Sequence, residues 1–390
     1  VIPDDADWTT TRSVNLSITS PVATRVAIYT DASCTDASLL TELPVSDVAK
    51  NIRLDVAKAD RALYIQYATS KGKEMMNIPL NTASTRAETL VKLPENVSGF
   101  DTNGGEGAYR YQWYPAKGET ATLMMEDNWP EMGDYDFNDF VIWYHAQAIF
   151  FDGGNGSKDS YDADGVEFEI TFRAMGGYLP YRLGLQLDQT SAKYIDEVIE
   201  INGNNLVKME LQNPGEDAPA IFIFTGTDQL RKQNNGGTFY NTEADHQIAA
   251  NDLVTIKYRL KMNCFRSLEK TEALWAAATS ENQNFFLQKE KNGGREIHLR
   301  GYEPTAYYSD SYAGEAGNNM HSDIKYCSTD NFVWGIKVPV KLAHPREKTD
   351  IMKVYGKFRS WITNPNLSPD SPEDYNENWY KYLDSSQAIE

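Results

Sequence analysis

The densest run of groups able to do chemistry is EDNWPEMGDYDFNDFVIWYHA, residues 126–146, where Asp127, Asp134, Asp136, Asn138 and Asp139 crowd just ahead of an apolar stretch. Hard oxygen ligands at alternate positions are what calcium takes, because a loop can wrap successive side chains around one cation at about 2.4 Å. Asp134, Asp136 and Asn138 have the 1, 3, 5 spacing of an EF-hand loop. The rest of that loop is missing: position six is Asp139 where glycine belongs, position twelve is His145 where glutamate belongs, and a strand pattern follows where a helix should. Two readings stay open. One is a calcium loop of another shape over 127–139, at the mouth of a β-sandwich, held by Asp127, Asp134, Asp136, Asn138 and Asp139. The other is a strand-entry turn whose Asp and Asn side chains cap backbone amides.

Other candidate chemistry is thinner. The loop FDGGNGSKDSYDADGVEFEI carries Asp152, Asp159, Asp162 and Asp164 and reads as a hairpin connection. Its GGNGSK lacks the spacing of a phosphate loop, and the flanking acids repel phosphate. There is no GxSxG and no HExxH, and His145, His246, His298, His321 and His344 are scattered without ligand spacing. The expectation is a protein with no catalytic residues and no organic cofactor. A glycosidase needs only two facing carboxylates, so a carbohydrate-active protein stays as the alternative. Trp113, Tyr114, Trp129, Trp143, Tyr302, Tyr307 and Tyr308 offer rings that could stack on sugars, although core packing accounts for them equally well.

The formal charge is −19, from 56 acidic against 37 basic residues, so the mean field repels nucleic acid and anionic lipid. Cations are attracted by the same field. Cys34, Cys264 and Cys327 make no CxxC pair; a Cys264–Cys327 bridge is one option and three buried thiols the other. No apolar run reaches membrane-spanning length. The chain opens VIPDDADWTTT, with neither a basic nor an apolar leader, as expected where an export signal has been removed.

The elements that must position these residues are mostly strands. Val14, Leu16 and Ile18 alternate with polar neighbours, as do Ile52, Leu54, Val56 and Leu63, Ile65, Tyr67, which predicts an immunoglobulin-like β-sandwich over residues 1–95. TASTRAETLVKLPENVSG and DTNGGEG lose the alternation and read as a linker. Beyond it, Val166–Phe172, Leu183–Leu187 and Val254–Met262 alternate again, predicting a larger antiparallel β-sandwich region over 96–390. One helix is expected at about 345–362, where Ile351, Val354, Tyr355, Phe358, Trp361 and Ile362 form a single apolar stripe packed on the sheet. The tail from Asn364 reads as a loop that docks through Trp379 and Tyr380.

DNWPEMGDYDFNDFVIWY resembles the signature of LruC-domain proteins, a family of exported proteins frequent in Bacteroidetes. NQNFFLQKEKNGGREIHLRGYEPT is similar to a second motif of that family, although Arg300 stands where proline is usual. FRAMGGYLPYRLGLQL and DNFVWGIKVPVKLAHPREKTDIMKVYGKFRSW are looser matches in the same order, and the likeness covers about 97–385. It implies a lipoprotein-like product of a Gram-negative bacterium, at the outer-membrane surface or in the periplasm, with an anchor upstream of the chain. The function expected is non-catalytic adhesion or ligand binding, to a surface protein or a glycan. If the family's signature is a calcium loop, the same five residues, Asp127 to Asp139, carry it.

Overall fold

The computed structural model describes residues 2–4, 6–80, 88–212, 215–289, 294–308, 319–363 and 376–390. It is mostly β, built from antiparallel sheets with few helices.

The strand Thr11–Thr19 lies antiparallel to Lys50–Ala57 and parallel to Glu88–Lys92. This small sheet packs on a second layer containing Leu39–Val45, Thr24–Tyr29, Ala62–Thr69 and Gly72–Pro79. Leu16, Ile18, Ile52, Leu54 and Val56 from one layer meet Val26, Ile28, Leu63, Ile65 and Tyr67 from the other in one core, as the period of two requires. Glu88–Lys92 falls where a linker was expected. Only its Val91 is buried while Leu90 is open to solvent, so this short edge strand leaves little pattern in the sequence. Residues 81–87 of the expected linker lie outside the described residues.

Thr41 and Glu42 pair with Gln112 and Tyr111, so the outer layer continues through Tyr109–Tyr114 into Phe140–Phe151, Gly165–Ala174, Thr255–Lys261 and Glu197–Asn202. Opposite it stands a five-stranded sheet of Lys208–Gln212, Pro219–Thr225, Tyr181–Ser191, Gln283–Lys289 and Glu296–His298. Phe168, Ile170 and Phe172 face Leu183, Leu185, Leu187, Phe222 and Phe285 between them. The helix Leu268–Ala278 closes this core and is N-capped by Ser267, whose side chain accepts from the Lys270 amide at 3.2 Å. Its buried face is Ala273, Leu274, Ala277 and Ala278, so small a stripe that only the later helix stood out in the sequence.

The strands Ala121–Met125, Phe140–Phe151 and Gly335–Val338 sit between two cores. Leu123, Met125, Phe140 and Ile142 enter the sandwich core, while Met124, Val141, Ile336 and Val338 enter a second one with Trp8, Phe137, Tyr355, Phe358, Trp361 and Trp379. Burial on both faces is why residues 123–125 and 140–144 of the first two read as unbroken apolar runs.

The single helix expected at 345–362 is corrected to two short ones, Ile351–Val354 and Phe358–Thr363. His344–Pro345 instead pairs with Ala388–Ile389. Tyr355 is extended, at φ −115° and ψ 99°, and its hydroxyl donates to Ala343 O at 2.8 Å. The returning tail takes the bonds a continuous helix would use, with Gly356 N donating to Tyr382 O at 3.0 Å and Asp384 N to Val354 O at 2.7 Å. The apolar stripe is still buried in full, and Trp379 docks with 0% exposure. Residues 364–375 of the tail lie outside the described residues. All three cysteines are free; Cys264 and Cys327 are buried, whereas Cys34 is only half-buried, at a turn where its sulfur lies 3.6 Å from Met75 Sδ. Among the described residues no helix is long and apolar enough to cross a membrane.

Candidate metal centre

Met125 pairs with Phe140, so residues 126–139 form the connection of an antiparallel hairpin whose strands are packed on both sides. Tyr135 and Phe137 adopt left-handed backbone, at φ 63° and 55°, a conformation that costs an L residue about 1–2 kcal/mol. Their rings meet edge-on at 4.7 Å in the C-terminal core, which fixes the loop from beneath. Asp134 and Asp136, interleaved with them, converge with Glu126: oxygens of the three carboxylates lie within 4.8 Å of one another.

These acids are held from several directions. Glu126 accepts from Phe137 N at 2.6 Å, and its other oxygen, Oε2, is buried without a hydrogen-bond partner. Asp136 accepts from Asn138 N at 3.0 Å and from Lys348 N at 2.8 Å. Asn138 donates to Pro345 O at 3.3 Å while its Oδ1 is buried and unpartnered. Asp127 and Asp139 form an adjoining pair, in which Asp139 accepts from Asp127 N at 2.8 Å and Asp127 from Leu179 N at 3.3 Å. Any side chain at Gly133 would collide with Glu126 Oε2, and any at Gly177 with Asp127 Oδ2, so both positions require glycine for the carboxylates to sit where they do.

Charge crowding follows from this packing. Burial, then repulsion from Asp136, pushes Glu126 up to about 8. Burial, then repulsion from Asp134, pushes Asp136 to about 8, and burial with the Asp127 charge pushes Asp139 to about 10. Asp127 is raised chiefly by burial, and Glu347, whose carboxylate bonds to Thr242 Oγ1 at 3.2 Å, rises to about 7 for the same reason with Asp134 beside it. The set is all hard oxygen, with no thiolate or imidazole, and two buried oxygens lack donors. Such a donor set suits a hard cation of the calcium type and lacks the thiolate and imidazole that structural zinc sites use.

Of the five residues expected from sequence, Asp134 and Asp136 are therefore brought together around a new member, Glu126; Asn138 lies against Asp136, and Asp127 and Asp139 stand as the adjoining pair. Glu126 ends the apolar strand, and an acid placed directly after a run buried on both faces is the one local signal of its burial. Glu347 comes from a distant loop and leaves none.

In the second acidic loop three of the four acids are already engaged, and Asp159 is exposed. Asp152 pairs with Lys50 at 2.6 Å, Asp162 with Lys261 at 3.1 Å, and Asp164 accepts from Phe151 N at 2.7 Å and Cys264 N at 3.2 Å. Glu296 and His298 form another buried polar group: Glu296 accepts from Thr305 N, Thr305 Oγ1 and His298 Nε2 at 2.9, 2.6 and 3.0 Å, and His298 Nδ1 meets Asn284 Oδ1 at 2.7 Å. Trp113, Tyr114, Trp129 and Trp143 are core residues, while Tyr302, Tyr307 and Tyr308 are half-buried.

A family model described as a domain of unknown function, DUF4842, matches residues 163–380. No curated protein matches the chain. Among solved structures, a crystal structure described as that of a candidate lipoprotein from Bacteroides ovatus is similar, with 21% identity and a TM-score of 0.73 over 94% of this chain and 99% of that one. At that identity the likeness shows the fold.

Proposed function

The chain belongs to the DUF4842 family, and from that premise we propose that it is a non-catalytic, LruC-type protein of the Gram-negative cell envelope that captures a ligand or surface partner. In this reading a calcium ion bound by Glu126, Asp134 and Asp136 stiffens the 126–139 hairpin. Asn138, Asp127 and Asp139 support the site from beside it. The ion would neutralise carboxylates that otherwise repel, and the chain's own part is to hold the oxygens convergent by packing Tyr135 and Phe137 beneath them.

The observation that carries this is Glu126 Oε2, an oxygen of a carboxylate with 1% exposure that has no donor and faces further acids. A buried unpartnered carboxylate is unfavourable unless a cation or a proton meets it. The envelope reading draws support from the relative described as a lipoprotein and from the sequence motifs. Thermal unfolding in EDTA and in millimolar calcium tests the site. Calcium at about a hundred times its dissociation constant should stabilise the fold by about 2.7 kcal/mol, and an Asp134→Ala, Asp136→Ala double mutant should lose that gain. If wild type shows no rise, the calcium reading is wrong and the loop is a capped turn. Protease treatment of intact cells then separates an outer-surface location, where the chain is cut, from a periplasmic one.

A further inference from the structure

A cleft of about 580 Å³ opens between the N-terminal sandwich and the segments around Glu281, Arg300 and Lys337. Within a chain of charge −19, its walls carry five cationic side chains against three acidic ones. The acids are already engaged: Asp7 with Lys58 at 2.7 Å, Glu281 with Arg53, and Asp55 by Ser13 Oγ at 2.9 Å and Ser280 N at 2.6 Å. Arg300 and Lys337 form no close ion pair among the described residues, and Lys337 feels Asp55, Asp188 and Glu281 only from a distance. Arg300 reaches Asp7 O at 3.5 Å and the Cys327 thiol, both neutral, and its buried Nε has no partner. Lys337 donates to the carbonyls of Ser280 and Gln283, the latter at 3.2 Å, and its ammonium lies 5.8 Å from the Tyr302 ring centre.

Two cations with only neutral acceptors, at the wall of one cleft, are a site for an anion, because an oxyanion would supply the charge-assisted bonds that carbonyls supply weakly. Desolvation lowers Lys337 to about 8 even against the charges of Asp55, Asp188 and Glu281, which raise it, so burial of this ammonium is not fully compensated. The remaining wall includes Thr9, Thr11, Ser13 and Asn15, a row of hydroxyl and amide groups suited to a polyhydroxylated body, and the volume is that of a small-molecule pocket. We infer that this cleft binds an acidic saccharide, with its carboxylate or sulfate received by Arg300 and Lys337 and its hydroxyls by the Thr9–Asn15 wall. This deepens the ligand-capture reading and does not depend on calcium.

The test is calorimetric titration of the full chain with a uronic-acid disaccharide, a sulfated disaccharide, a neutral disaccharide of equal size and inorganic sulfate, each in EDTA and again in calcium. At least one acidic disaccharide should bind about tenfold or more tighter than the neutral one and than sulfate, and Arg300→Gln and Lys337→Met should each weaken it about tenfold. Which acidic arm binds identifies the anionic group. Arg300 is half-buried at the cleft wall, so Arg300→Gln keeps the test valid should Lys337→Met fail to fold. Failure of both acidic disaccharides in EDTA and in calcium, parity with the neutral sugar, parity with bare sulfate, or affinity unmoved by Arg300→Gln would each overturn the inference. The calcium reading is judged separately by its own unfolding shift.

Discussion

Glu126 and Glu296 are buried to the same degree, at 1% and 0% exposure, and they behave oppositely. Glu296 has both oxygens bonded, to Thr305 and His298, and no neighbouring acid crowds it in that network. Glu126 has one oxygen bonded and one bare, with Asp134 and Asp136 converging on it. The difference teaches that a buried acid is evidence of a ligand only when its valence is unmet. A satisfied carboxylate is a staple, joining the strand Glu296–His298 to the loop at Thr305, whereas a crowded and unsatisfied one is half of an interaction.

The sharpest way to break that contrast is Glu296→Ala, which strands His298 and Thr305. It should cost about 3 kcal/mol in denaturant unfolding, by the same amount in EDTA and in calcium. A calcium-dependent loss would instead tie that network to the cation site.

Next in size is the pH response of the metal-free protein. Glu126, Asp136 and Asp139 have folded-state values raised above their unfolded ones, so their protonated forms stabilise the fold. That contribution is complete below about pH 4 and is lost as pH rises through the raised values. In EDTA these groups should therefore take away at least about 2 kcal/mol between pH 5 and 8. Saturating calcium should reverse the trend, because the ionised carboxylates bind it, and parallel profiles with and without calcium would refute the shared origin.

A smaller effect separates repulsion from ligation at one atom. Glu126→Gln keeps the oxygen that Phe137 N uses and removes the charge, so in EDTA at pH 8 it should raise stability by about 1 kcal/mol while abolishing the calcium shift. Destabilisation in EDTA would mean that the carboxylate is not in conflict with its neighbours. At the small end, Asp159→Asn in the second acidic loop should change stability by no more than about 0.5 kcal/mol and leave calcium stabilisation intact.

Much of the fold was legible because half-buried strands write themselves as alternation. Leu16, Ile18, Val166, Phe168 and Ile256 all face the cores that their spacing predicts. The edge strand Glu88–Lys92 was not legible, since it buries one side chain, and neither was the helix Leu268–Ala278, whose inner face is largely alanine. At the candidate site, Asp134, Asp136 and Asn138 were visible by their spacing. Glu126 leaves a weaker sign, an acid directly after the apolar strand Ala121–Met125, and its convergence with Asp134 and Asp136 depends on how the loop folds back.

Sequence by itself determined the β class, the apolar stripe of the C-terminal segment and the existence of an acidic loop. Each of these is a local property, set by side-chain period or by residue type within a few positions. Tertiary structure alone decided that the stripe breaks at Tyr355, where Leu383 and Tyr382 compete for the backbone, and that Glu347 approaches from a distant loop. It also brought Arg300 and Lys337 to one cleft with Thr9 and Asn15. Those outcomes depend on which segments pack together, and no spacing within a segment encodes how far another segment's charges or donors will lie.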